Sequence, residues 1–243
     1  MAIFPFVSVA EVIDRGAGGS GGADVALAES RTEAGPRKLS RETRRGQLIE
    51  ATIETLAQRG FARTTLSEVA RTAGLSHGLV NFHFETKEKL LAETLQFLAE
   101  EYRANWTAAL AGAADHPAAQ LDAMLRADFN PAICTPARLA AWCAFWGEAQ
   151  SRPLYQESYG AKDEEYIRVL EGVCAALMRV DGREGSPERV ARVLRVTVEG
   201  VWLDLMSMRN PYSRDEALAT VHTCAQAFFP RHFGPAGLLA ARV

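Results

Sequence analysis

The chain has 243 residues, 27 Lys and Arg against 30 Asp and Glu, and 48% apolar residues, enough to bury a core in one large domain or two small ones. No apolar run approaches the ~18 residues of a membrane span, the densest being 139–146. Cys134, Cys143, Cys174 and Cys224 show neither CxxC nor zinc-ligand spacing, so they read as small apolar core residues in a reducing compartment, with no metal and no cofactor expected.

Residues 1–36 carry a net charge of −3 and five glycines between Gly16 and Gly22, and sustain no helical stripe. They are expected to form a disordered leader, because such a segment buries too little apolar surface to offset its ordering entropy. The apolar patch Ala2–Ala10 lacks a basic start and is interrupted by Pro5, which argues against an export signal and for a cytoplasmic protein. Residues 37–92 then hold ten basic and six acidic residues, a net +4, and the remainder of the chain is acidic. A basic block inside an acidic chain suits a module that binds a polyanion.

From Ser40 onward the apolar periodicity is helical. Ser40 is a candidate N-cap for a helix carrying Ile49, Ile53 and Leu56, with Gly60 at its end. Thr65 with Glu68 forms a capping box for a short second helix that Gly74 closes. Ser76 caps a third, running to about Phe82, and Thr86 a fourth with Leu91, Leu95, Leu98, Tyr102 and Trp106 on one stripe. Further helices are expected over 117–128, 136–151, 153–180, 187–209 and 214–229, separated by proline and glycine punctuation. No alternating strand pattern occurs, so the fold class is all-α. Domains are expected at 37–92 and 93–233, with a flexible tail over 234–243.

The two short helices around Gly74-Leu75-Ser76 form a helix-turn-helix, whose second helix can enter a DNA major groove. Ser76 can offer its hydroxyl and the helix N-terminal amides to phosphate, and His77, Gly78 and Asn81 face outward. Thr64, Thr65 and Lys87 are placed to reach the DNA backbone. Residues 45–92 resemble the DNA-binding domain of the TetR family of transcriptional regulators, through Gly60-Phe61, Thr64-Thr65, Val69-Ala70, Ala73-Gly74-Leu75-Ser76, Gly78, His83-Phe84, Lys87-Glu88 and Leu90-Leu91. One departure is Asn81, where the family often has tyrosine. The resemblance implies double-stranded operator DNA as partner, with Arg41, Arg44, Arg45, Thr64, Thr65 and Lys87 on phosphate. It assigns base reading to the helix carrying Ser76, His77, Gly78, Asn81, Phe82 and His83.

It also implies a helical second domain that dimerises and holds a small-molecule effector. The stripes Val198, Val201, Leu205 and Leu218, Val221, Phe228 are the expected homodimer face, on a two-fold that calls for a palindromic operator, with His222 and Cys224 as interface packing. The segment Asp128-Phe129-Asn130-Pro131 through Ala141–Trp146 is similar to a narrower branch, the BetI-like repressors of choline-to-betaine pathways. That implies choline or betaine aldehyde as effector, held by cation–π attraction. The candidate lining is Phe129, Trp142, Phe145, Trp146, Tyr166, Trp202 and Asp204, with Tyr155 and Tyr159 nearby and Asp128 or Glu148 as alternative carboxylates. The competing readings are a regulator with a non-cationic ligand, packing of the same aromatics in an ordinary core, a helical interaction protein, and an enzyme. The last would need an HExxH, GxSxG or Walker motif, none of which the sequence contains.

Overall fold

A computed structural model describes residues 36–148, 160–234 and 236–240. Contacts divide the chain into Met1–Ser40, described only for its last five residues, and Arg41–Val243, to which the tertiary contacts below belong. The leader, Tyr155, Tyr159 and the junction of the expected helices 136–151 and 153–180 lie outside the described residues.

Four helices make the first part: α1 (Pro36–Arg63), α2 (Leu66–Ala73), α3 (His77–Phe84) and α4 (Lys87–Ala111). Helix α1 starts ahead of Ser40, which is therefore an interior residue and not the cap. Gly60, at φ 74° and ψ 170°, breaks its course, and Phe61–Arg63 form a separate turn. Thr65, Ser76 and Thr86 cap α2, α3 and α4, each accepting a bond from the backbone N–H three residues on. Gly74 closes α2 at φ 65°, ψ 31°, the left-handed conformation that costs a residue with a Cβ about 1–2 kcal/mol. The chain thereby turns within three residues, and α3 crosses α2. Val69, Val80, Phe84 and Leu56 fill the space between these helices and α1. The Thr55 hydroxyl meets that of Thr72 at 3.0 Å, tying α1 to α2.

The second part adds α5 (Pro117–Ala127), α6 (Pro136–Gly147), α7 (Ala161–Val180), α8 (Pro187–Ser207) and α9 (Arg214–Phe228). Prolines at the first helical position start α5, α6 and α8, where the missing N–H costs nothing. Helix α4 runs through both parts, placing Leu90 and Leu95 in the first core and Tyr102 and Trp106 in the second.

The expected tail from residue 234 is instead paired. Phe233–Gly234 (β1) and Gly237–Leu238 (β2) form a short antiparallel bridge, a strand element that no alternating pattern announced. Phe233 is buried, and a Cβ on Gly237 would stand 2.9 Å from the His222 ring, so only glycine permits this approach. His222 is likewise not at an outer face: it is 2% exposed and shares a 2.7 Å hydrogen bond with Asp122. Cys224 meets Thr197 of α8 at 3.4 Å within the chain.

Candidate nucleic-acid interface and aromatic pocket

Helix α3 presents His77, Gly78, Asn81 and Phe82 on its exposed side, while Val80, His83 and Phe84 point inward. Phe82 is 67% exposed, the most exposed large apolar side chain among the described residues, and the Arg41 guanidinium lies 5.8 Å from its ring centre. Arg44, Thr65 and Ser76 are also exposed, Arg44 holding Gln47 at 2.8 Å. The outward face of the helix-turn-helix thus combines cations, hydroxyls and one aromatic ring.

Four expected DNA contacts are engaged elsewhere. Thr64 is 1% exposed, and its hydroxyl donates to the Gly60 carbonyl at 2.9 Å, so it braces the turn after α1. Arg45 pairs with Glu93 of α4, donates to the His83 carbonyl at 2.9 Å and lies 4.8 Å over the Phe84 ring. His83 is buried under the same cation. Burial, followed by repulsion from Arg45 and Arg41, pushes its pKa below the usual histidine value, and the packing turns the ring away from the exposed face. The Lys87 ammonium donates to the Phe61 carbonyl at 3.0 Å and the Ala62 carbonyl at 3.3 Å, and sits 5.3 Å over the Phe61 ring. These four residues join the first helix, the turn and α4. Charge and motif position suggested phosphate because sequence does not reveal that the turn's own carbonyls compete for the lysine.

The second site is a box of aromatic rings. Tyr102 of α4, Trp142 and Trp146 of α6, Tyr166 of α7 and Trp202 of α8 surround a cavity of about 20 Å³. Trp142 and Trp146 share one helix face at i, i+4, their rings 6.3 Å apart. Trp146 stacks on Trp202 at 6.4 Å and 12°, and Tyr102 stands 5.5 Å from Tyr166 and 5.9 Å from Trp202. Asp163, Arg195 and Glu199 edge the box, which opens into a cleft of about 420 Å³ beside Val196, Gly200 and Leu203. Arg195 pairs with Glu199. Burial raises the Glu199 pKa, Arg195 opposes the shift, and Asp163 adds to it.

Asp128 lies beneath the rings at 0% exposure. It accepts the Tyr102 hydroxyl at 2.7 Å and the Tyr166 hydroxyl at 3.3 Å, while its backbone carbonyl accepts the Trp202 indole N–H at 3.1 Å. Among the described residues no cation pairs with it. Burial pushes its pKa up to about 7, against the lowering by the two tyrosine hydroxyls, and Glu199 adds repulsion.

The expected lining is therefore partly redistributed. Trp142, Trp146, Tyr166 and Trp202 meet as anticipated. Phe129 is buried beside a separate groove with Asn105 and Arg214. Phe145 lies to the side of these rings on α6, edge-on to Phe61 at 6.0 Å. Asp204 is exposed and accepts the Tyr212 hydroxyl at 3.3 Å. Tyr102 was legible only as one member of the α4 stripe, and its role as a wall of the box needed the crossing of α4 with α7 and α8.

The expected dimer stripes also change face. Val198, Val201 and Val221 are buried within the chain, Val198 against the aromatic box, and Leu205, Leu218 and Phe228 are half-buried. The outer face of α8 instead shows Val193, Val196, Gly200 and Leu203, at spacings of three to four, and that of α9 shows Thr220, Thr223 and Ala227. On α8 both faces are apolar in sequence, and only packing distinguishes them.

Residues 48–94 match the family model for bacterial regulatory proteins of the tetR family, and residues 117–230 that for the C-terminal part of BetI-type transcriptional repressors. The HTH-type transcriptional regulator BetI of Paraburkholderia phymatum is 30% identical over 183 residues, 75% of this chain and 91% of the relative. The BetI of Paraburkholderia xenovorans is 30% identical over 188 residues, 77% and 94% of the two chains. Among solved structures, a transcriptional regulator of Pseudomonas aeruginosa superposes with a TM-score of 0.69 at 25% identity, covering 84% of this chain and all of that one. A Saccharomonospora viridis regulator solved in complex with choline shares the fold at a TM-score of 0.65 and 17% identity, over 75% of this chain and 95% of that one.

Proposed function

Because the chain belongs to the TetR family of transcriptional regulators, in its BetI-type branch, we propose that its aromatic box is the effector site and that a quaternary ammonium such as choline acts there to control operator binding. The observation that carries this reading is the box itself: five aromatic rings from four helices, with Asp128 beneath and Asp163, Arg195 and Glu199 at the edge. Each ring face offered to a cation contributes roughly 0.5–2 kcal/mol, more as the site dries. A permanently charged, apolar-surfaced trimethylammonium satisfies both features of such a site. The Saccharomonospora viridis regulator of the same fold, solved in complex with choline, supports this reading.

The cavity between the rings, at about 20 Å³, has room for about one water. Binding therefore requires the rings to part, and α6 has to move with Trp142 and Trp146. The same helix carries Phe145 against Phe61, and Arg138, which holds Glu101 at 2.6 Å and Glu50 of α1 at 3.0 Å. A ligand that shifts α6 thereby acts on the turn leading into Thr65 and α2. Shifting a population from 1:99 to 99:1 takes about 5.5 kcal/mol of difference in affinity between the two states.

On the DNA side, Arg41, Arg44, Thr65 and Ser76 hold phosphate, and His77, Gly78, Asn81 and Phe82 meet base edges. Two copies joined through the outer faces of α8 and α9 place their α3 helices about 34–36 Å apart, one turn of DNA, on a palindromic operator. A gel-shift titration on the DNA flanking the protein's own gene tests both halves, at constant salt with choline or betaine aldehyde. Retarded DNA that choline releases is expected. Retardation unchanged by either compound would leave the regulator and remove the cationic effector.

A further inference from the structure

A carboxylate sealed under aromatic rings without a cation is costly, because transfer of an isolated charge from water into an apolar interior is paid for only by pairing or by neutralisation. Asp128 has partners for both oxygens, but they are the Tyr102 and Tyr166 hydroxyls, walls of the box, and they do not bring charge. A ligand in the box would thus stand across one tyrosine ring from Asp128. We propose that the site works by exchange of a cation for a proton: Asp128 is neutral while the box is empty, and entry of a quaternary ammonium expels the carboxyl proton to solvent.

The step balances in atoms and charge. The Asp128 O–H bond breaks, its electron pair stays on the carboxylate, the proton leaves to buffer, and the ligand's fixed positive charge takes its place. The interior charge is the same before and after. Ionised Asp128 also draws both tyrosine O–H groups toward itself, making their rings more electron-rich on the face offered to the cation. Asp128 is therefore a positioning residue that acts through Tyr102 and Tyr166.

The surrounding groups agree in sign. From α4 Tyr102 faces Asp128. From α7 come Tyr166 and, farther out, Asp163; from α8, Glu199 paired with Arg195. The turn after α5 brings Cys134, and α9 brings Arg214, whose charge acts at Cys134. Helix α6 contributes the indoles of Trp142 and Trp146 and, half-buried, Cys143. Glu199 opposes ionisation of Asp128 in the empty box, and Arg195 is already paired with it.

The inference rests on the box being the effector site, and the test separates the two. Choline serves as probe because its own charge does not titrate. Isothermal titration of the full-length protein at pH 6, 7 and 8, in phosphate and in Tris, reads proton release from the difference in heat between the buffers. With the carboxyl titrating at about 7, release of close to one proton at pH 6 and about half a proton at pH 7 is expected, with about tenfold tighter choline binding at pH 8 than at pH 6. In Asp128→Asn both effects vanish, and in Glu199→Gln both persist. Wild-type binding with no proton release and no pH dependence would overturn the exchange while keeping the effector site. An unchanged slope in Asp128→Asn would move the titration to another group and overturn it as well. No choline binding at any pH would remove the cationic site and the exchange together. The wild-type measurement decides even if a variant fails to fold.

Discussion

Single residues in this protein do work that their type does not announce. Lys87 is a cation at a helix N-terminus, a position that opposes the helix dipole, yet it stays because two carbonyls and a ring of the turn 61–62 receive it. Lys87→Ala should therefore destabilise the fold by about 1–3 kcal/mol, the cost of hydrogen bonds to a charged group, read as a lower urea midpoint. Asn81 and Arg44 separate two kinds of DNA contact. Asn81→Ala should change the preferred base at one position by about 1–3 kcal/mol, whereas Arg44→Ala should weaken all sequences alike and reduce the salt slope by about 1; binding selections and salt titrations distinguish them. Asp128 bears on stability as well. Its folded pKa of about 7 exceeds the unfolded value of 3.8, so the folded state holds a proton that the unfolded state has lost. Its contribution is fully present below about pH 4, declines as pH rises toward 7 and is lost above that. Asp128→Asn should flatten that part of the stability profile, measured by denaturant unfolding at pH 5 and pH 8.

Between elements, the decisive pieces are turns and shared helices. Gly74 lets α2 and α3 cross within three residues, and Gly74→Ala should cost about 1–2 kcal/mol through the left-handed conformation it must adopt, visible as a lower melting temperature. Helix α4 places Leu90 in one core and Tyr102 in the other, and α6 offers Trp142 and Trp146 to the box while turning Phe145 to Phe61. A 3.6-residue period explains both faces of α6: positions 142 and 146 align, and position 145 lies to the side. The caps Thr65, Ser76 and Thr86 were legible from sequence because an N-cap is a local event, set by a side chain and an amide three residues away. Ser40 was not, since a hydroxyl can also sit inside a helix whose start lies farther upstream.

At the scale of the whole molecule, α8 has two apolar faces, one buried in the chain and one left outside. The outer face of α8, with Val196 at 52% and Leu203 at 50% exposure, is the surface we propose for a second copy. Leu203→Glu combined with Val196→Glu should yield monomers by sedimentation velocity and abolish tight operator binding, since one recognition helix contacts only a half-site. The same substitutions at Val201 would instead disturb the folded monomer, because that side chain is 5% exposed within its own chain.

What the sequence determined by itself is the local part: helix periodicity, most caps and breaks, the helix-turn-helix with its outward His77, Gly78 and Asn81, and the aromatic face of α6. Each depends on residues within a few positions of one another, where spacing alone sets direction. What tertiary structure decided is which of two apolar faces goes inward, which cations are already spent on carbonyls, and which rings meet. Val198 and Val196 look alike in a stripe, Arg44 and Arg45 look alike in a charge block, and Tyr102 and Asp128 stand 26 positions apart yet share a hydrogen bond. Burial and pairing are properties of several helices packed together, and the burial that raises the Asp128 pKa exists only once they have closed around it.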